Sequence, residues 1–125
     1  MKGLIIAYSY SPNRNVGALR PSYWAEEACK IENLEFDVIT ATKHEGDSSN
    51  YKRFYVPNNS SSFWSFLIKD EGLTWSKDLL SFLKKNGVED YDFVLFTGGP
   101  FFQFSLGKYF KRKGLKVIYD YRDPY

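Results

Sequence analysis

The sequence predicts one α/β domain over residues 1–125: a doubly wound, mostly parallel sheet in a three-layer arrangement. Three observations carry that expectation. Short continuous apolar runs alternate with amphipathic stretches, as parallel strands alternate with helical crossovers. The length of 125 residues suits one domain and is short for two. The composition is 43% hydrophobic and 26% charged, with ten Tyr, eleven Phe and three Trp, so the chain has the material for a core and is not of the disordered class.

Residues 3–8 (GLIIAY) form the first run, read as a strand buried on both faces. Residues 18–32 place Leu19, Tyr23, Ala28 and Ile31 on one helical face, with Glu26, Glu27 and Lys30 turned away. Pro21 fits the first turn of that helix, where its missing N–H costs nothing. Residues 36–40 (FDVIT) read as a second buried strand, and residues 51–56 (YKRFYV), which alternate, as an edge strand. Residues 57–72 are the least determined; they open as polar turn material and then carry an apolar segment, 63–68, that must find cover. Residues 74–85 predict a helix with Leu79, Leu80, Phe82 and Leu83 inward, Thr74 or Ser76 as N-cap, and Gly87 just past the end. Residues 92–97 (DFVLFT) are the next strand. Residues 101–113 are a helix that ends Lys111-Arg112-Lys113-Gly114, cations in the last turn followed by a glycine. Residues 115–121 (LKVIYDY) are the last strand, which a 3-2-1-4-5 order would leave on an outer edge.

Several classes are excluded. A net charge of +2, from 17 basic and 15 acidic residues, is too balanced to predict nucleic-acid binding. The lone Cys29 allows no intramolecular disulfide and no cysteine-based zinc site, and the lone His44 allows no multi-histidine metal site. No apolar run is long enough to span a bilayer, and the first residues read better as a strand than as a signal peptide. The default location is the cytoplasm.

Ligands of open α/β sheets bind beyond the carboxyl ends of the strands, which selects four segments. In residues 9–17, Gly17 sits where a loop becomes a helix N-terminus, a place that favours an anion, and Arg14 and Arg20 add charge. The plainer alternative is a capping turn with solvated arginines. Gly98 and Gly99 form a tight strand-to-helix turn, which either lets a ligand approach the backbone or only relieves crowding. Asp120 and Arg122 share one face of the last strand and pair as readily as they bind, while Asp123 is placed to accept a hydrogen bond or proton from a sugar hydroxyl. His44 lies in a charged loop and reads as solvated, and Cys29 as a small buried hydrophobe.

Residues 4–21, 36–40 and 91–125 together resemble the N-terminal half of a bacterial GT-B-fold retaining glycosyltransferase, of the kind that builds capsule and lipopolysaccharide. The most telling pieces are Gly17-Ala18-Leu19-Arg20-Pro21 and Asp120-Tyr121-Arg122-Asp123-Pro124-Tyr125; in the latter position the family often shows an aromatic-flanked D-x-R-D-P string. The resemblance implies a Rossmann-like, acceptor-binding domain that faces a second domain holding the nucleotide-sugar donor. It implies that the segment around Gly17 approaches the donor diphosphate, and that Arg122 and Asp123 line the cleft near the reacting centre. No catalytic base is assigned, because relatives that carry a histidine or an acid after this strand are matched here by Arg122 and Asp123.

No metal or other cofactor is implied; the nucleotide sugar is a substrate. The family's glutamate pair has no counterpart among these residues, so the expectation is a fragment or a split half that needs a C-terminal donor-binding domain or partner chain and turns over little alone. Expected partners are the sugar acceptor, a membrane surface at the inner face, and a second copy through the last strand; nucleic acid is not expected. Two other readings stand beside this one: a non-catalytic or partner-dependent ligand-binding subunit, and a flavodoxin-like domain using Ser9, Ser11 and Asn13 around FMN phosphate.

Overall fold

Five strands line up in the order β3-β2-β1-β4-β5, and every neighbouring pair is parallel. They are β1 (Lys2–Ala7), β2 (Glu35–Thr40), β3 (Lys52–Tyr55), β4 (Phe93–Thr97) and β5 (Lys116–Asp120). Among the described residues three helices connect them: α1 (Val16–Cys29), α2 (Glu71–Asn86) and α3 (Gly107–Arg112). This computed structural model describes residues 1–8, 10, 16–43, 51–57, 71–97 and 106–120, with only the backbone described at 16–20 and 71–74. The fold is the Rossmann-like, three-layer α/β arrangement expected.

The sheet has two unlike faces because side chains alternate along each strand. Leu4, Ile6, Ile39, Val94 and Phe96 turn to the side of α2 and α3, where Trp75, Leu79, Leu83 and Phe110 complete a buried cluster. Ile5, Ala7, Phe36 and Val38 turn to the other side, where they meet Ala25 and Tyr10. β1 is buried from Gly3 to Ala7 because it is central and covered on both faces. Gly3 leaves room for its register partner on β4: a Cβ at this position would lie 2.2 Å from the ring of Phe93, which would have to move.

The end of α3 shows how sequence chemistry sets a boundary. Gly114 has φ +88°, the Gly114 N–H donates to the Lys111 carbonyl, and the Leu115 N–H donates to the Phe110 carbonyl. That is a Schellman stop, and its two flanking apolar residues, Phe110 and Leu115, both enter the core. Gly87, at φ +79°, likewise closes α2.

Several expectations need correction. α1 begins at Val16, two residues earlier than expected, so Pro21 falls inside the helix and not in its first turn. The buried face of α1 carries Pro21 and Ala25, while Tyr23 and Ile31 are exposed. The small side chains let the helix approach the sheet, and the large ones are left at its margin. Ile31 lies past the helix end. Cys29 is exposed, not buried. α2 begins at Glu71, so Thr74 and Ser76 are interior residues and neither is the N-cap. Leu79 and Leu83 are buried as expected, with Leu80 and Phe82 partly so. Residues 63–68 and His44 lie outside the described residues.

Candidate functional site

The carboxyl ends of the strands, where a ligand of this fold belongs, are built by two polar networks. The first ties the segment after β1 to the segment after β2. The Tyr8 carbonyl accepts from the Ala41 N–H at 3.1 Å, the Thr40 hydroxyl at 3.0 Å and the Thr42 hydroxyl at 3.3 Å. The Thr42 oxygen in turn accepts from the Tyr10 N–H at 3.1 Å, and the Thr42 N–H donates to the Thr40 oxygen at 3.1 Å. Two threonines, each donor and acceptor at once, thus satisfy backbone groups where the regular ladder ends.

Tyr10 drops its ring back onto the α1 side of the sheet. Its hydroxyl is hydrogen-bonded to that of Tyr51, which stacks on Phe36 at 4.6 Å between ring centroids. The Arg53 guanidinium lies 4.8 Å from the centre of the Tyr10 ring and donates to the Thr42 carbonyl at 3.0 Å. Burial, reinforced by the Tyr51 hydrogen bond, pushes the Tyr10 phenol well above its ordinary value. Burial lowers Arg53 from its ordinary value, and the two tyrosines oppose that shift. The arrangement is a cation held on an aromatic face, which fixes the outer corner of the sheet.

The second network centres on Asp120, the last residue of β5. Its carboxylate accepts from the Thr97 hydroxyl at 2.8 Å, across the β4–β5 register, and from the Trp24 indole N–H of α1 at 2.8 Å. Asp120 is buried, so these donors supply part of what water would otherwise give it. The consequence is mechanical: helix α1 is pinned to the carboxyl ends of β4 and β5, on the far side of the β1–β4 switch in strand order. The expected pairing of Asp120 with Arg122 lies outside the described residues; Thr97 and Trp24 are partners the sequence did not signal. Trp24 is 96 residues away in sequence, and no local pattern signals such a pair.

Of the expected site residues, Gly17 and Arg20 lie in the first turns of α1, whose amino end follows β1 at this carboxyl edge. Arg14, Gly98, Gly99, Arg122 and Asp123 lie outside the described residues. Among the described residues no group of three or more His, Cys, Asp and Glu is placed to hold a metal ion. No helix among them is long and apolar enough to cross a membrane.

The opposite end of the sheet has its own polar cluster. Asp37, buried in β2, accepts from the Tyr91 hydroxyl and lies 3.7 Å from the Lys2 ammonium, which also sits 5.1 Å above the Tyr91 ring. A cavity of about 180 Å³ opens beside it, lined by Leu83, Asn86 and Lys52 among others. Burial and the bond to Asp37 push the Tyr91 phenol above its ordinary value. These groups neutralise and hydrogen-bond one another. They close the amino ends of the strands, where this fold does not bind its ligands.

Matched against protein-family models, curated proteins and solved structures, the chain finds no counterpart in any of the three.

Proposed function

We propose that this chain is the acceptor-side, Rossmann-like half of a GT-B-type glycosyltransferase, moving a sugar from a nucleotide-sugar donor to a polysaccharide or lipid-linked acceptor. One observation carries the reading. Of the two segments on which the resemblance rests most, residues 17–21 lie in α1 and residues 120–125 begin at Asp120, the last residue of β5, and the Trp24–Asp120 hydrogen bond of 2.8 Å joins α1 to β5 directly. An interaction between elements so distant in sequence brings α1 to the carboxyl end of β5, which supports the reading of a shared cleft.

In this proposal α1 presents its amino end, with Gly17, Arg14 and Arg20, toward the donor diphosphate, where the unpaired N–H groups of a helix start favour negative charge. Gly98 and Gly99 leave room for close approach, and Arg122 and Asp123 face the reacting sugar. A donor-binding domain or partner chain holds most of the nucleotide. No metal takes part. The work takes place in the cytoplasm, at the inner face of the membrane where lipid-linked acceptors are presented.

The test is a binding and turnover panel on the purified chain, with nucleotide sugars, free oligosaccharides and lipid-linked acceptors. The expected outcome is acceptor binding, seen as a rise in melting temperature, with little transfer by the chain alone. Robust transfer by the chain alone would overturn the half-enzyme assignment. Absence of binding by every acceptor would overturn the acceptor role, and a yellow protein carrying FMN would replace it with the flavodoxin-like alternative.

A further inference from the structure

The polar cluster at the amino ends of the strands leaves one atom unsatisfied. Asp37 is 5% exposed, and both of its partners use the same oxygen. The Tyr91 hydroxyl donates to Oδ2, and the Lys2 ammonium lies 3.7 Å from Oδ2. Among the described residues no donor reaches Oδ1. A buried carboxylate oxygen without a donor has lost what water gave it, and such atoms in folded proteins have a reason. The cavity of about 180 Å³ that Asp37 lines is the space from which a donor can come.

The rest of the lining selects the molecule that brings it. Leu4 and Ile39 from the sheet, Leu83 from α2, and the rings of Phe54 and Phe82 form apolar walls, the two rings 5.6 Å apart and tilted by 53°. Water alone fills such a space poorly. At about 30 Å³ per molecule the volume takes about six waters, each needing about two to four polar partners, and these five side chains offer none. A flat apolar ring suits it better: a cavity of about 150 Å³ walled by Leu, Ile and Phe stays dry and takes benzene. Lys52, the register partner of Asp37 on β3, is exposed, lines the same cavity and has no ion pair among the described residues. Lys2 already faces Asp37, so Lys52 leaves one positive charge in excess, which repels an ammonium group and attracts a carboxylate.

We propose that this cavity binds a small monocyclic phenolic acid. Its hydroxyl donates to Asp37 Oδ1, its ring packs against Phe54, Phe82 and Leu83, and its carboxylate meets the Lys52 ammonium. A neutral hydroxyl is the right donor, because Lys2 already balances the carboxylate charge and only the hydrogen bond is missing. Open sheets take their substrates at the opposite, carboxyl edge, so this is a second site, and it is independent of the transferase reading. The lining joins β1, β2 and β3 to the last turn of α2, where Asn86 sits, so an occupant bridges sheet and helix and stabilises the fold.

Amide NMR and calorimetry on the full chain, with 4-hydroxybenzoate, benzoate and phenol as probes, test the assignment. 4-Hydroxybenzoate is expected to shift Leu4, Ile39, Leu83 and Asn86 and to raise the melting temperature. It is expected to bind about tenfold or more tightly than benzoate, which lacks the donor. Deleting the hydroxyl from the probe tests the Asp37 contact without a substitution in the core. Phenol, which lacks the carboxylate, is expected to bind at the same residues more weakly than 4-hydroxybenzoate. Lys52→Ala, at an exposed side chain, removes that difference and leaves the circular dichroism unchanged. Benzoate binding as tightly as 4-hydroxybenzoate overturns the Asp37 contact, and an undiminished preference over phenol in Lys52→Ala overturns the Lys52 contact. No shift at the four cavity residues with any probe at millimolar concentration overturns the site, which then holds only water; so do shifts confined to the carboxyl edge.

Discussion

The two faces of the sheet are held by different physics. On the α2 and α3 side, Trp75, Leu79, Leu83, Phe96 and Phe110 are fully or almost fully buried and interlock, with Phe96 and Phe110 edge-to-face at 5.6 Å. The Trp75 indole N–H in that wall donates to the Val56 carbonyl at 2.8 Å. On the α1 side the buried apolar set is thinner among the described residues, and polar links span it: Tyr10 with Tyr51 and Arg53, and Asp120 with Thr97 and Trp24. Dispersion and area burial dominate the first face. Directional bonds between distant elements dominate the second, and they are the ones that shape the carboxyl edge.

That contrast can be broken from either side. Trp75→Ala empties the apolar wall and strands the Val56 carbonyl, and a loss of about 3–5 kcal/mol is expected by urea denaturation. A loss no larger than that of an ordinary surface change would mean that the wall is not the main support. Asp120→Ala removes the acceptor of both Trp24 and Thr97 and is expected to cost about 1–3 kcal/mol, with the Trp24 indole N–H resonance shifted. An unmoved resonance would mean that α1 is not pinned through this carboxylate.

The tyrosines give a pH test. Tyr10 and Tyr91 both hold their protons more tightly folded than unfolded, chiefly through burial. Below the ordinary tyrosine value of about 10 both states are protonated and no dependence arises. Above it the unfolded chain loses protons that the folded chain keeps, so stability falls as pH rises. Melting curves from neutral to strongly alkaline pH are expected to show that fall, and Tyr91→Phe and Tyr10→Phe are each expected to flatten it. The smallest effect belongs to the exposed Lys30–Glu27 pair at the carboxyl end of α1, at 3.1 Å, where Lys30→Ala should leave the melting temperature unchanged.

The strands were legible because their signals are local. A run such as residues 3–8 has no polar side to offer water, and burial on both faces is its natural resting place. The stop at Gly114 was legible for the same reason: cations, a glycine and an apolar residue suffice to describe it. Tyr23 misled because ring size suggests burial, whereas Pro21 and Ala25 permit the closer contact and take the inner face. Asp37 passed as one polar letter inside a strand; its partners, Lys2 and Tyr91, come from elsewhere in the chain. At the candidate site, rules for open sheets selected the carboxyl edge but not its internal contacts. The pairs that build it, Trp24 with Asp120 and Tyr10 with Arg53, join residues that only the folded topology makes neighbours.

The central claim is that the carboxyl edge of the sheet receives a sugar acceptor. It is tested most directly by backbone amide NMR on the full chain, titrated with acceptor oligosaccharides. Shifts are predicted at Tyr8, Tyr10, Thr42, Thr97 and Asp120, with Lys2, Glu35 and Asp92 at the opposite end unmoved. Shifts confined to Lys2, Glu35 and Asp92, or none with any acceptor, would contradict it.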